Sequence, residues 1–162
     1  MPKQSAGLLM YRRSSGRPEV FLVHPGGPFW AKKDLGAWTI PKGEYQAGED
    51  PLAAAQREFQ EETSFTPAGA FLLLGTVRQA SGKTVIAWAF EGDCDPAQLV
   101  SNTCMIEWPP RSARHLEIPE VDRGAWFPLD EARIRIRKEQ IAYLSMLAEM
   151  YLFPLTTRVE AH

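Results

Sequence analysis

The sequence lacks most of the features that mark secreted, zinc-stabilised or membrane-spanning proteins. Its only cysteines are Cys94 and Cys104, and no CxxC pattern occurs, so a structural zinc site is not supported. No apolar run approaches the length of a membrane span. The first residues, MPKQSAGLLMYRR, lack the apolar core and cleavage pattern of a signal peptide. We therefore expect reduced thiols, a cytoplasmic location and no membrane partner.

The chain also has no excess of charge of either sign. Its 18 Lys and Arg residues nearly balance 20 Asp and Glu residues, for a net charge of −2. This balance does not favour binding to a nucleic acid duplex or to an anionic membrane surface. The 162 residues, 44% of them hydrophobic, contain no repeat, linker or low-complexity tract. We therefore predict a single domain, 1–162, with a substantial core.

Alternating or apolar segments predict both strands and helices along the chain. A Gly- and Pro-rich segment, 24–37, contains Phe29 and Trp30 and is predicted to be a loop beside a binding pocket. His24 has no partner at metal-ligand spacing and is assigned a structural role. The predicted strands are 5–11, 19–24, 70–77, 84–90 and 126–128, and the predicted helices are 130–136 and 139–153.

The most informative stretch of the sequence is residues 43–65, GEYQAGEDPLAAAQREFQEETSF. Its start, with Pro41, Gly43 and Gly48, is predicted to be a loop. Asp50 then offers an N-cap side chain, and Pro51 fits the first helical position, where a missing N–H costs nothing. Good helix formers follow, with apolar residues at the spacing of a buried stripe. A helix beginning at Pro51 is therefore predicted.

Beside that stripe, Glu58, Glu61 and Glu62 are three and four residues apart. Their carboxylates are expected to emerge together on neighbouring turns, where like charges repel. A hard divalent cation, which prefers oxygen ligands, would reverse that repulsion. Arg57 lies four residues before Glu61 and is placed to hold a carboxylate. The alternative interpretation is an acidic, solvent-exposed helix face with ordinary i,i+4 ion pairs.

The stretch resembles the signature of the Nudix hydrolases, G-x5-E-x7-R-E-U-x-E-E-x-G-U, where U is a bulky apolar residue. Gly43, Glu49, Arg57 and Glu58 occupy the first fixed positions, and Phe59 and Phe65 are the bulky residues. Ser64 stands where the pattern has its last Gly. That Gly is expected to end the helix with positive φ, which Ser tolerates less well.

The resemblance implies a Nudix-type α/β/α sandwich with a mixed β-sheet. It also implies that Glu58, Glu61 and Glu62 hold Mg²⁺ or Mn²⁺, with the carbonyl near Gly43 as a further ligand. Arg57 would orient these ligands. A carboxylate of the helix, such as Glu58 or Glu61, would take the proton from the attacking water, or a later glutamate would do so. The later candidates are Glu107, Glu117 and Glu120.

The implied reaction is hydrolysis of a diphosphate linkage in a small nucleotide substrate. The run WTIPKG resembles that of Nudix members acting on nucleoside triphosphates, dinucleoside polyphosphates or diphosphoinositol phosphates, and the first two are favoured here. Lys42 is expected either to bind an extra phosphate or to cap the loop in solvent. Lys32 or Lys33 is expected to meet phosphate, and Trp30 to stack on a base or to cover the core. The alternatives are an ADP-ribose or nucleotide-sugar pyrophosphatase, a Nudix module that senses a nucleotide without cleaving it, and an interaction protein using the exposed segment WPPRS.

Overall fold

The computed structural model describes residues 3–14 and 16–152. The end of the last predicted helix, Phe153, lies outside the described residues. The described chain contains eight strands and three α-helices. The strands are β1 (Gln4–Ser14), β2 (Arg17–Pro25), β3 (Lys42–Glu44), β4 (Leu72–Arg78), β5 (Thr84–Glu91), β6 (Thr103–Glu107), β7 (His115–Pro119) and β8 (Val121–Pro128), and the helices are α1 (Pro51–Thr63), α2 (Leu129–Arg135) and α3 (Ile141–Leu152).

Six of the strands form one mixed sheet in the order β4-β5-β1-β2-β8, with β3 paired to β1. The β1 and β5 strands run parallel, and the other neighbouring strands are antiparallel. β1 is long enough to pair with two strands along the same edge. Its first residues pair with β3, from Ser5 opposite Glu44 to Gly7 opposite Lys42, and its last residues pair with β2. This arrangement brings the start of the 43–65 stretch to the middle of the sheet.

The two faces of the sheet are covered by different helices, because alternate residues of a strand point to opposite faces. In β1, Leu8 and Met10 belong to a core cluster with Ala55 and Phe59 of α1. Leu9, between them, belongs to a second cluster that includes residues of α2 and α3. The expected α/β/α sandwich with a mixed sheet is therefore confirmed. Phe59 and Leu9 are both fully buried, so each face excludes water.

Two predictions about local structure were incomplete. The loop predicted at the start of the 43–65 stretch contains strand β3, which exists because it pairs with β1. The segment 101–119 carried no strand prediction, yet it forms the hairpin β6–β7, with Thr103 opposite Pro119 and Glu107 opposite His115. Both elements depend on pairing between distant residues, which local patterns do not report.

Cys94 and Cys104 are half-buried and form no disulfide, as expected. Within the described ranges, no helix has the length and apolar character needed to cross a membrane.

Candidate active site

Helix α1 begins and ends where the sequence places its signals. The Asp50 carboxylate accepts a hydrogen bond from the Ala53 N–H at 3.0 Å, and Pro51 occupies the first turn. At the other end, Ser64 has φ 68° and ψ 1°, in the left-handed region. Its N–H donates to the Gln60 carbonyl at 2.8 Å. The positive φ expected at Ser64 is therefore confirmed, although the residue is not Gly.

The three glutamates of α1 differ in exposure. Glu62 is only 7% exposed and lies on the buried side of the helix. Its carboxylate accepts from the Lys42 backbone N–H at 3.3 Å, which connects the helix to strand β3. The Glu58 side chain is 13% exposed, whereas that of Glu61 is 44% exposed. The cluster therefore extends from the core to the surface across one turn of helix.

Gly43 packs directly against the Glu58 carboxylate. A Cβ atom at residue 43 would lie 2.1 Å from both Cδ and Oε2 of Glu58. Any side chain at residue 43 would displace that carboxylate, so the close approach of strand and helix requires glycine. The position of Glu58 is thus defined by the backbone of β3.

Arg57 contacts three carboxylates at once. Its Nη1 pairs with Glu49, its Nη2 lies 3.3 Å from Glu58 Oε1, and its Nε lies 3.8 Å from Glu61. A guanidinium presents five donors in a fixed fork, so one arginine can restrain several carboxylates. The predicted contact between Arg57 and Glu61 is present, and the contacts to Glu49 and Glu58 extend it.

Burial dominates the electrostatics of the cluster. It raises the pKa of Glu62 well above its ordinary value, and the charges of Glu120 and Glu58 act in the same direction. Burial also raises the pKa of Glu58, where the Arg57 guanidinium opposes it. For Lys42, burial lowers the pKa to about 8, and the charges of Arg137 and Lys83 add to this effect. The site therefore disfavours ionised carboxylates unless a cation compensates them.

The donor chemistry fits a hard divalent cation, since the cluster offers carboxylate oxygens that burial and mutual repulsion leave poorly compensated. In the described part of the chain, no three His, Cys, Asp or Glu side chains are already grouped as a metal-binding set. Glu58 and Glu61 contact Arg57 instead, and Glu62 contacts the Lys42 amide. A cation at this site would replace part of these contacts.

Of the three later glutamates, Glu120 is the one whose charge acts on the cluster, raising the pKa of both Glu58 and Glu62. Its backbone is tied to the end of α1 through Asn102. The Glu120 N–H donates to the Asn102 carbonyl at 3.0 Å, and the Asn102 N–H donates to the Glu61 carbonyl at 2.9 Å. Spacing in the sequence gives no sign of this proximity, because Glu120 reaches the helix only through the tertiary fold.

The other two candidates have local partners in the β6–β7 hairpin. Glu117 accepts from the Thr103 hydroxyl at 2.7 Å. Glu107 accepts from the N–H of Ala113 at 2.9 Å and from that of Arg111 at 3.3 Å. Both glutamates are exposed, and these bonds stabilise the hairpin and its turn.

The residues predicted to meet substrate have different surroundings. Trp30 is half-buried, and the guanidinium of Arg137 lies 4.8 Å from its ring centre. Lys32 is exposed, whereas its neighbour Lys33 lies 4.0 Å from the ring centre of Phe29. No local motif in the sequence marks Arg137 as a functional residue.

Trp38 and His24 lie at the edge of the core, which agrees with the structural role assigned to His24. Trp38 is 4% exposed, and its indole N–H donates to Asp34 at 2.7 Å. His24 is fully buried, with Nδ1 2.9 Å from Asp122 and Nε2 2.6 Å from the Lys33 carbonyl oxygen. These contacts connect the loop 24–37 to strands β2 and β8.

Comparison with known proteins agrees with the signature. The sequence matches the NUDIX domain over residues 1–148. The chain belongs to the NUDIX family. It is 38% identical over 66 residues to a bis(5'-nucleosyl)-tetraphosphatase (asymmetrical) of Caenorhabditis elegans, a match that covers 41% of this chain and 44% of that protein. It is 39% identical over 77 residues to an RNA pyrophosphohydrolase of Rhodospirillum rubrum, covering 46% and 43% of the two chains. The matches span less than half the length of these NUDIX relatives.

Solved NUDIX structures share the fold over nearly the whole chain. An Ap4A hydrolase of C. elegans in a binary complex has a TM-score of 0.65 at 24% identity, covering 91% of this chain and 98% of that chain. The NUDIX domain of Shewanella oneidensis NrtR, in complex with ADP ribose, has a TM-score of 0.64 at 16% identity, covering 92% and 88%. At these identities the likeness establishes the fold alone.

Proposed function

We propose that this protein hydrolyses a diphosphate linkage in a nucleoside triphosphate or dinucleoside polyphosphate, with Mg²⁺ or Mn²⁺ held by helix α1. The observation that carries the proposal is the grouping of Glu58, Glu61 and Glu62 beside Gly43, whose missing side chain leaves room for the Glu58 carboxylate. All the acids of the NUDIX signature are present, which favours an enzyme over a module that only senses a nucleotide.

In the proposed site the three glutamates and the Gly43 carbonyl would hold the cation. When bound there, it would supply charge neutralisation of the diphosphate and a lower pKa for the attacking water. Arg57 restrains Glu49, Glu58 and Glu61 through its fork of donors and acts by orienting them.

Proton transfer from the attacking water is assigned to the carboxylates around the cation. Glu120 is the later glutamate that joins Glu58 and Glu61 in this set, because its charge acts on Glu58 and Glu62. Exposure of Glu61 keeps one carboxylate accessible to solvent, so that a proton taken from water can leave the site.

The substrate class rests on two supports. The C. elegans relative is named a bis(5'-nucleosyl)-tetraphosphatase and the R. rubrum relative an RNA pyrophosphohydrolase. In addition, Lys42 lies next to Glu62 and adds a positive charge beside the carboxylates. A longer phosphate chain would make use of that charge.

The test is a substrate panel with purified protein and Mg²⁺, followed by chromatographic separation of nucleotide products. The panel contains diadenosine tetraphosphate, a nucleoside triphosphate, ADP-ribose and a nucleotide sugar. We expect the first two to have the highest kcat/KM and EDTA to abolish all turnover. If ADP-ribose proved the best substrate, the proposed substrate class would be wrong, while the assignment of a hydrolase would stand. Absence of turnover on every member, with nucleotide binding retained, would identify a sensing module.

A further inference from the structure

A cleft of about 380 Å³ lies beside the loop 24–37, between that loop and the connection from α2 to α3. Its volume suits a small polar ligand. Two cations and one carboxylate line it, which leaves a net positive charge. The lining residues are Trp30, Gly36, Arg137, Lys138 and Glu139.

Arg137 in this cleft has an unusual environment for a charged side chain. Its Nε atom is buried and has no hydrogen-bond partner among the described residues. By contrast, Arg12, Arg57 and Arg135 each pair with at least two carboxylates. Arg137 as a whole is half-buried. An arginine stays charged in a protein, and partial burial of a charge that has no carboxylate partner is costly. Burial lowers the pKa of Arg137, and Glu139 only partly opposes this.

Neighbouring groups hold Arg137 in place without neutralising it. The guanidinium carbon lies 4.8 Å from the centre of the Trp30 ring, a cation–π arrangement. The Arg137 N–H donates to the Trp38 carbonyl at 2.9 Å, and the Arg137 carbonyl accepts from the Gln140 N–H at 2.9 Å. An oriented guanidinium that pairs with no carboxylate among the described residues is a ready partner for a phosphate.

We propose that this cleft is a phosphate subsite, in which Arg137 binds a phosphate group of the substrate remote from the cleaved linkage. The inference rests on the proposed function, since it places that phosphate on the same polyphosphate substrate. Trp30 is then a positioning residue that holds the guanidinium, rather than a platform for a base. Lys138, exposed at the same cleft, adds charge without being essential.

Lys42 connects the subsite to the carboxylate cluster. The charge of Arg137 acts on Lys42, and the Lys42 N–H contacts Glu62. A second contact joins the same two regions. Ile40, two residues before Lys42, donates its N–H to Oε1 of Gln140, three residues after Arg137, at 3.0 Å. Lys42 is therefore near both the cleft and the carboxylate cluster.

The experiment measures both binding and turnover. Binding of inorganic tripolyphosphate is followed in EDTA as a shift in Tm, and kcat and KM are measured with Mg²⁺ for diadenosine tetraphosphate and for ADP-ribose. The variants are Arg137→Gln and Arg137→Lys. Arg133→Gln is the matched control, because Arg133 is an exposed arginine of α2 that contacts Ser145 and does not line the cleft.

Arg137→Gln is expected to raise KM for diadenosine tetraphosphate at least about tenfold, since a charge-assisted phosphate contact is lost. It should change KM for ADP-ribose by less than about threefold, because that substrate has only the diphosphate, and it should abolish the Tm shift with tripolyphosphate. Arg137→Lys should keep part of the Tm shift with tripolyphosphate and should raise KM for diadenosine tetraphosphate less than Arg137→Gln does. Arg133→Gln should resemble the wild type. Trp30→Ala should raise KM more than it lowers kcat.

The ligand-free Arg137→Gln protein should keep a Tm near that of the wild type, because removal of a half-buried charge without a carboxylate partner offsets the loss of the cation–π contact with Trp30. An unchanged KM and an unchanged Tm shift in this variant would overturn the subsite. Equal rises of KM for both substrates would also overturn it, because the contact would then be with the cleaved diphosphate. If the wild type turned over no substrate but kept an Arg137-dependent Tm shift, the proposed function would fail while the anion site stood.

Discussion

Gly43→Ala tests whether the backbone of β3 sets the position of the Glu58 carboxylate. The added Cβ would lie 2.1 Å from Glu58 Cδ, whereas ordinary contact begins at 3.4 Å, so the carboxylate must move by more than about 1 Å. Glu58 is the end of a flexible side chain, and an off-rotamer χ angle costs about 0.5–1.5 kcal/mol. A misplacement of about 1 Å in an active site can lower turnover about 100-fold.

We therefore expect Gly43→Ala to lose about 100-fold in kcat but less than about 2 kcal/mol in the free energy of unfolding. Urea unfolding and Mg²⁺-dependent turnover measure the two effects separately. Gly69→Ala is the control. Gly69 has φ 99°, and a Cβ atom added to it would meet no other atom within 4 Å, so this change strains the backbone without touching the site. It should cost stability and leave kcat near the wild-type value.

A double-mutant cycle adds a second check on the mechanism. In a Glu58→Ala background the carboxylate is gone, so Gly43→Ala should have little further effect on stability. If Gly43→Ala kept kcat within about twofold of the wild type, the position of Glu58 against Gly43 would be irrelevant to turnover. If the costs of the two changes added in full, the steric explanation would be wrong.

Three further predictions concern the paired acids of α1, the end of that helix and Glu120. Glu61→Gln and Glu62→Gln should each nearly abolish turnover at saturating Mg²⁺, and Glu62→Gln should raise Tm in EDTA, because burial disfavours the ionised carboxylate. Most activity remaining in both variants would refute the site. Ser64→Gly should stabilise the protein by roughly 0.5–1 kcal/mol in a thermal melt, since Gly adopts the observed φ of 68° more readily; a less stable variant would show that the Ser64 side chain matters more. Glu120→Gln should lower kcat at least about tenfold, whereas Glu117→Gln, in the hairpin, should not; equal effects would remove Glu120 from the site.

Local signals predicted those parts of the fold that neighbouring residues determine. Asp50 and Pro51 define the start of α1, and Ser64 takes the conformation expected of a helix end. The apolar runs in β1 and β2 predicted strands, although both strands extend beyond their predicted limits. In each case the physical cause acts within a few residues of the chain.

The parts that were missed depend on distant pairing. Strand β3 has three residues and forms only against β1. The cleft at Arg137 depends on the bridge between Trp38 and Ile136, which brings the loop of Trp30 beside Arg137. Likewise, Glu120 differs from Glu107 and Glu117 because backbone hydrogen bonds through Asn102 connect it to the end of α1. No local sequence pattern reports that connection.

The central claim is that the carboxylates of α1 hold a divalent cation, and direct measurement of Mn²⁺ binding tests it most simply. Electron paramagnetic resonance reports free Mn²⁺ as the protein is titrated, without any need for a substrate. We predict saturable binding to the wild type and at least about tenfold weaker binding to Glu62→Gln, since a charged ligand is lost. Glu117→Gln should bind as the wild type does. Mn²⁺ binding of equal affinity in the wild type and Glu62→Gln would contradict the account.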